Sequence, residues 1–243
     1  GYPGMRRAMQ EMIRNRMTSV QRLEMTSTNI PLDRLLDSSM DQDIDIIRRT
    51  KESISHEEFY RAADALVKVK KVYIIGAGSS LAIATFLSYY FSLVFDSVQL
   101  ISATSEAQIL QQMVHIGEGD ALVGISFPRY SMRTMKALEF ANSRKAKVIT
   151  ITDSVHSPMN VYAACTLIAK SDMASIVDSL VAPLSVINAL VVALCMKRQA
   201  DVKKTLESME KLWDEYQVYS NDEINGLDDA RPMGGKKAAL PVK

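Results

Sequence analysis

Cysteine and tryptophan are scarce in this chain, which has two cysteines and one tryptophan among 243 residues. Cys165 lies in the apolar run ACTLIA and Cys195 in VVALCM, and their spacing is not that of metal ligands. We therefore expect two buried free thiols in a reducing compartment, and no metal site.

An excess of charge of one sign is also lacking. Lys and Arg total 29 and Asp and Glu total 28, which leaves a formal net charge of +1. No global attraction to nucleic acid, membranes or acidic substrates follows, so any basic partner surface has to be local. A hydrophobic content of 47% with 23% charged residues is typical of a soluble globular protein.

Long uninterrupted apolar runs are missing as well. The most apolar segment, 176–196, is broken by Asp178, Pro183 and Asn188, which favours a core or interface helix over a membrane span. The first 22 residues carry five arginines and no apolar stretch, so they do not resemble a signal peptide. The expected location is the cytoplasm.

Short β-branched runs and helical runs alternate from Val72 onward. Each strand is apolar without polar alternation, which indicates burial on both faces, and strand–helix alternation indicates parallel pairing with right-handed crossovers. The pattern predicts a three-layer α/β/α sandwich around a five-stranded parallel sheet, a doubly wound α/β fold. The predicted strands are VYII, VQLIS, ALVGIS, KVITIT and TLIA. The predicted helices between and after them are 81–95, 106–115, 132–143, a short piece after Pro158, and 178–196.

Further helices are predicted on both sides of this α/β region. They cover 5–23, 43–54, 59–69 and 201–219, and the third begins with the capping box Ser55-His56-Glu57-Glu58. We expect three parts: a linker helix and connector at 1–40, one α/β domain with flanking helices at 41–219, and a mobile tail at 220–243.

A glycine turn follows the first strand and leads directly into a helix, as Gly76-Ala77-Gly78-Ser79-Ser80. Free N–H groups at a helix start favour an anion, and two hydroxyls add donors. A dinucleotide loop would need a glycine in place of Leu81 and a carboxylate in place of Ser102, a P-loop would need a lysine, and a nucleophile elbow would need Gly-x-Ser-x-Gly. The remaining interpretations are a small anion held by Gly78, Ser79 and Ser80, or a Ser79 that only caps the helix.

The third strand is followed by a similar polar helix start. Ser126 ends the strand, and Ser131 and Thr134 fall in the first turn of the next helix. Arg129 is a candidate for bidentate phosphate binding, or else a solvated or interface-paired arginine. Tyr130 fits packing better than base stacking.

Two carboxylates and one histidine complete the candidates. Glu106 is either a base facing the site or a first-turn carboxylate favoured by the helix dipole, and the second interpretation is the stronger. Asp153 is either an acceptor for a sugar hydroxyl or a brace within its loop, and His156 is a lone histidine. Serine-bearing helix starts facing one crevice suit a phosphorylated metabolite without a cofactor, and not a nucleoside triphosphate.

These motifs resemble a known family. GAGSS after strand one, S-x-x-x-x-S-x-x-T after strand three and TDS after strand four resemble a sugar isomerase (SIS) domain over residues 59–196. More narrowly, SFPRYS resembles the ligand-sensing half of RpiR-type transcription regulators. The flanking GYPGMRRAMQ and KLWDEYQVY resemble the elements that enclose the SIS domain in those regulators.

The resemblance implies a flavodoxin-like SIS fold and a sensor of phosphosugars without catalytic residues. In that family an N-terminal helix-turn-helix domain binds DNA, and none precedes Gly1, so DNA binding is expected only through an absent domain. By position, the residues that would hold the phosphate are Ser79, Ser80, Ser126, Ser131 and Thr134. Arg129 and Tyr130 would shape the mouth of the pocket.

Two other functions remain open. An aldose–ketose isomerase shares the fold and needs a base, for which Glu106, Asp153 and His156 are the candidates. An oligomerisation module with a vestigial pocket also fits. Under each interpretation the apolar flanking helices favour a dimer or a tetramer.

Overall fold

Five parallel strands form a single sheet in the computed structural model, which describes residues 17–29, 31–171 and 177–218. The order across the sheet is β2-β1-β3-β4-β5, and every neighbouring pair is parallel. The strands are β1 Val72–Gly76, β2 Val98–Ile101, β3 Ala121–Ile125, β4 Lys147–Thr152 and β5 Cys165–Ile168. The predicted five-stranded parallel sheet is confirmed.

Eight α-helices surround the sheet or flank it in the described residues. They are α1 Ser19–Asn29, α2 Leu35–Ser53, α3 His56–Val67, α4 Ser80–Val94, α5 Glu106–Gln112, α6 Met132–Ser143, α7 Val181–Lys197 and α8 Gln199–Glu215. Two 3-10 turns, Leu32–Arg34 and Pro158–Val161, complete the list.

The sheet is buried on both faces, which explains its apolar strands. Every residue of β1 and β3 is buried. Val72 and Ile74 of β1 pack into a core with α3, α4 and α7, whereas Tyr73 and Ile75 pack into a second core with α5 and α6. Alternate side chains of one strand thus supply both layers, and the three-layer sandwich is confirmed.

The predicted helix boundaries are wrong at several ends. α2 begins at Leu35, eight residues before the predicted start, because an amphipathic surface helix tolerates the polar stretch that favoured a connector. α5 ends at Gln112 and not at His115, and the N–H of Met113 closes its last turn on the carbonyls of Ile109 and Leu110. Most of the predicted helix at 5–23 lies outside the described residues, and α1 continues to Asn29.

The capping box at α3 is half confirmed. The Ser55 hydroxyl accepts a hydrogen bond from the N–H of Glu58 at 3.2 Å. The Glu58 carboxylate does not return to the cap, because it accepts from the guanidinium of Arg61 at 2.9 Å and from the N–H of Thr166 at 3.2 Å. It therefore joins α3 to the start of β5.

The described chain divides into two compact units at Val202, and the sheet with α1 to α7 belongs to the first.

Both cysteines are free thiols, as predicted; Cys165 is buried, whereas Cys195 is half-buried, and burial raises its pKa. No single described helix is both long and apolar enough to cross a membrane, although the bent pair of α7 and α8 passes that test of length and composition together. The predicted tail at 220–243 lies outside the described residues.

Candidate functional site

The carboxyl edge of β1 and β3, called the crevice below, is where the chain leaves two neighbouring strands in opposite directions. The last paired residues of these neighbouring strands are Gly76 and Ile125, so their following loops start side by side. The chain then enters α4 on one face of the sheet and α6 on the other. Such a switch point at the carboxyl edge is where open α/β sheets bind ligands.

Two glycines shape the wall of the crevice that follows β1. A Cβ atom added at Gly76 would lie 2.6 Å from the backbone oxygen of Ser80 and 3.1 Å from the Ala84 Cβ, so only glycine lets α4 pack this closely on β1. Gly78 has φ +61°, with open space where a side chain would lie. The turn therefore presents bare backbone to the crevice at Gly78.

The two serines of this turn differ in environment. Ser80 is 4% exposed, whereas Ser79 is exposed. The Ser79 side chain makes no capping hydrogen bond to α4, so the interpretation of Ser79 as a simple cap is wrong. Its hydroxyl instead lies 3.5 Å from Oδ2 of Asp178, which is long for a hydrogen bond.

The wall that follows β3 is a chain of three hydroxyl residues. Ser126 is buried, and its hydroxyl accepts from the N–H of Ser131 at 3.1 Å. Ser131 caps α6 by accepting from the N–H of Thr134 at 3.4 Å. The hydroxyl of Thr134 is fully buried and has no hydrogen-bond partner in the described part of the chain. A buried polar group without a partner is costly, which makes this hydroxyl a candidate for a ligand contact.

Arg129 and Tyr130 stand between these hydroxyl residues in sequence. Arg129 is exposed and has φ +67°, a left-handed backbone conformation that is rare outside glycine. The Tyr130 hydroxyl donates to Oδ1 of Asp153 at 2.8 Å. Burial raises the pKa of Tyr130 well above its ordinary value, and the charge of Asp153 adds to this effect. Asp153 thereby joins the loop after β4 to the loop after β3.

Glu106 and His156 have no contact with the hydroxyl residues of the crevice among the interactions described. Glu106 lies in the first turn of α5 and forms an ion pair with Lys136 of α6 at 2.7 Å, with both side chains about half exposed. His156 is exposed, and its N–H donates to the Ser154 hydroxyl at 3.2 Å.

Three charged residues near this edge were missed by the sequence analysis. Lys170 lies just beyond Ala169 at the end of β5, and its ammonium is 3.3 Å from the carbonyl oxygen of Asp153. Arg22 of α1 is 2% exposed and pairs with Asp178 at 2.9 Å. Reading the end of the fifth strand would have found Lys170. No local signal marks Arg22, because its partner is 156 residues away in sequence.

An apolar cavity of about 370 Å³ lies elsewhere on the first unit. It lies between α2, α3 and α7 and is open to solvent on one side, and its lining includes Ile47, Phe59 and Ala189. The apolar lining and the absence of the crevice serines from it separate this cavity from the candidate anion site.

A family model described as the SIS domain matches residues 65–193, a little over half of the chain. The chain belongs to the SIS domain family. The match falls within the region 59–196 that the motifs indicated, and it contains β1 to β5 and both walls of the crevice.

Two curated relatives of this SIS protein are uncharacterised HTH-type transcriptional regulators. That of Caldanaerobacter subterraneus subsp. tengcongensis is 26% identical over 165 residues, which are 65% of this chain and 57% of the relative. That of Clostridium perfringens is 24% identical over 116 residues, which are 48% of this chain and 41% of the relative. The chain thus spans about half the length of the curated relatives it matches.

Solved structures share the fold. The sugar isomerase domain of an RpiR transcription factor from Sphaerobacter thermophilus has a TM-score of 0.69 at 22% identity, over 73% of this chain and 99% of that one. The NanR protein of Vibrio vulnificus, complexed with ManNAc-6P, has a TM-score of 0.67 at 16% identity, over 81% of this chain and 73% of that one. A phosphoheptose isomerase of Neisseria gonorrhoeae has a TM-score of 0.58 at 16% identity, over 68% of this chain and 98% of that one.

Proposed function

We propose that this SIS domain is the phosphosugar-sensing part of an RpiR-type transcription regulator. In this proposal a phosphorylated sugar binds in the crevice and modulates DNA binding by a helix-turn-helix domain. Both curated relatives are HTH-type regulators, and the Vibrio vulnificus NanR structure contains ManNAc-6P, which supports this class of function and of ligand.

The observation that carries the proposal is the pair of hydroxyl-bearing helix starts on the two walls of the crevice. Ser79 and Ser80 begin α4, and Ser131 and Thr134 begin α6. The Thr134 hydroxyl is buried and has no hydrogen-bond partner among the described residues. Each charge-assisted hydrogen bond to a phosphate contributes about 1.5–3 kcal/mol before the cost of association is subtracted. A few such bonds suit micromolar to millimolar binding of a metabolite.

Sugar-phosphate isomerisation is the second candidate, because a phosphoheptose isomerase shares the fold. The three possible bases are each engaged or remote. Glu106 pairs with Lys136, Asp153 accepts the Tyr130 hydroxyl, and His156 is exposed on its loop. Glu106 and Asp153 are thus already bound to other side chains, and His156 has no contact with the crevice hydroxyls in the interactions described, which favours the sensor.

A thermal-shift panel of phosphorylated sugars tests the binding. We expect at least one phosphosugar to raise the Tm of the wild type, and its unphosphorylated sugar to leave the Tm unchanged. The double variant Ser79→Ala/Ser131→Ala should lose the shift. Ser131 is also a helix cap, so Ser55→Ala is the matched control: it removes an equivalent cap from α3 and should keep the shift.

The panel also separates the candidates. No shift with any phosphosugar would contradict both the sensor and the isomerase and leave the oligomerisation module. Conversion of a shifting ligand, measured by NMR and lost in Glu106→Gln, would replace the sensor with an isomerase.

We also propose that the domain forms a homo-oligomer, a dimer or a tetramer. The support is a contiguous apolar surface beside the cavity between α2, α3 and α7. Its exposed large side chains are Ile47, Tyr60, Val192 and Met196.

A further inference from the structure

A buried arginine reaches the crevice from outside the matched SIS region. Arg22 lies on α1, and its side chain is 2% exposed. One of its terminal nitrogens is 2.9 Å from Oδ1 of Asp178, and the other is 3.4 Å from the Ser19 hydroxyl. A guanidinium removed from water requires an anion beside it, and here that anion is the Asp178 carboxylate.

The same carboxylate borders the proposed phosphate loop. While Oδ1 of Asp178 binds Arg22, its Oδ2 lies 3.5 Å from the Ser79 hydroxyl. One carboxylate therefore separates a buried cation from the serine that begins α4. The Arg22 contact is short and charge-assisted, whereas the Ser79 contact is long, so the carboxylate is held mainly from the arginine side.

A phosphate at Ser79 would meet this carboxylate directly. The phosphate and the Asp178 carboxylate would then both lie beside the Ser79 hydroxyl, and two negative charges this close repel each other. Asp178 is 22% exposed, so its side chain has solvent toward which it can turn. The arginine has no such freedom, because it is almost fully buried.

We propose that Arg22 binds the phosphate of the ligand, and that Asp178 is the internal anion that the phosphate displaces from it. This inference rests on the proposed phosphosugar site and adds the positive charge that the hydroxyl residues lack. Arginine suits the exchange because its planar guanidinium donates two parallel hydrogen bonds to a carboxylate or to a phosphate with the same geometry.

The exchange links ligand binding to the N-terminal part of the chain. α1 precedes the SIS region in sequence, and the Arg22–Asp178 ion pair is a charged contact between α1 and the chain that follows β5. A phosphate that replaces Asp178 beside Arg22 breaks this ion pair and so changes the contacts that hold α1 in place. By linkage, any constraint on α1 then changes the affinity for the ligand by the same factor.

Isothermal titration calorimetry tests the inference with two probes, orthophosphate and a phosphosugar that shifts the wild-type Tm. We expect Arg22→Gln to weaken binding of both probes at least about tenfold, because it removes the charged partner. We expect Asp178→Asn to strengthen binding at least about threefold, because it removes the competing anion and keeps a similar shape. The control is Arg198→Gln, which breaks the Arg198–Asp201 ion pair and should leave both affinities unchanged.

The two variants are expected to change the affinity in opposite directions. A loss of folding in Arg22→Gln therefore does not decide the outcome, because tighter binding by Asp178→Asn cannot arise from a damaged protein. Binding by Asp178→Asn that is equal to or weaker than wild type would overturn the inference, as would an Arg22→Gln affinity within twofold of wild type. Either result, with a wild type that binds, leaves the proposed sensor standing. A wild type that binds neither probe contradicts both.

Discussion

Tyr130 packs against the core that contains α5 and α6, as the sequence predicted, and it also makes a polar contact that the sequence did not indicate. The sequence favoured a packing residue, and the structure adds a hydrogen bond from its hydroxyl to Asp153, which spans the loops after β3 and β4. Burial and the adjacent carboxylate raise the pKa of Tyr130 above its ordinary value of about 10. A raised pKa means that the folded state retains the phenol proton longer than the unfolded state.

Ionisation of Tyr130 should therefore lower the stability of the folded state at alkaline pH. Its contribution is fully present below the unfolded pKa of about 10 and is lost as the pH rises above that value toward the folded pKa. We expect the Tm of the wild type to fall between pH 9 and pH 11, and Tyr130→Phe to reduce that fall. Exposed Tyr89, changed to Phe, is the control. An identical alkaline fall in wild type and Tyr130→Phe would contradict this assignment.

The elements themselves were largely predictable because their signals are local. The strands of the sheet and the starts of α5 and α6 follow from apolar runs, serine caps and proline positions within a few residues. The predicted start of α2 was wrong because no residue in the first half of this helix is buried in the core. Likewise, the walls of the crevice were predictable from strand ends, whereas the Arg22–Asp178 pair depends on a tertiary contact across 156 positions.

The packing of α4 on β1 depends on Gly76. We expect Gly76→Ala to lower the free energy of unfolding by at least about 2 kcal/mol, because its Cβ would lie 2.6 Å from a backbone oxygen that cannot move without the helix. Urea denaturation measures the change. Gly117→Ala is the control, since a Cβ there meets nothing within 4 Å, and we expect a change within about 0.5 kcal/mol. A Gly76→Ala protein as stable as Gly117→Ala would show that α4 packs less tightly than described.

At the scale of the whole molecule, the apolar surface of α2, α3 and α7 is one that the fold of the first unit leaves uncovered. Large apolar side chains stay exposed there around a cavity of about 370 Å³, although the sheet already has two complete cores. Contiguous exposed apolar surface of this kind marks protein–protein contacts. A two-fold axis would let the same surface cover itself, as in most homodimers.

Val192→Glu should therefore convert the proposed oligomer to a monomer. Val192 is 61% exposed on this surface, and a carboxylate there would be buried without a partner in the assembly. Size-exclusion chromatography with light scattering measures the mass. Val114→Glu is the control, because Val114 is 53% exposed but follows α5 on the opposite face of the sheet, and this change should leave the mass unaltered. A wild type that is monomeric, or a Val192→Glu protein of unchanged mass, would show that this surface does not join two copies of the chain.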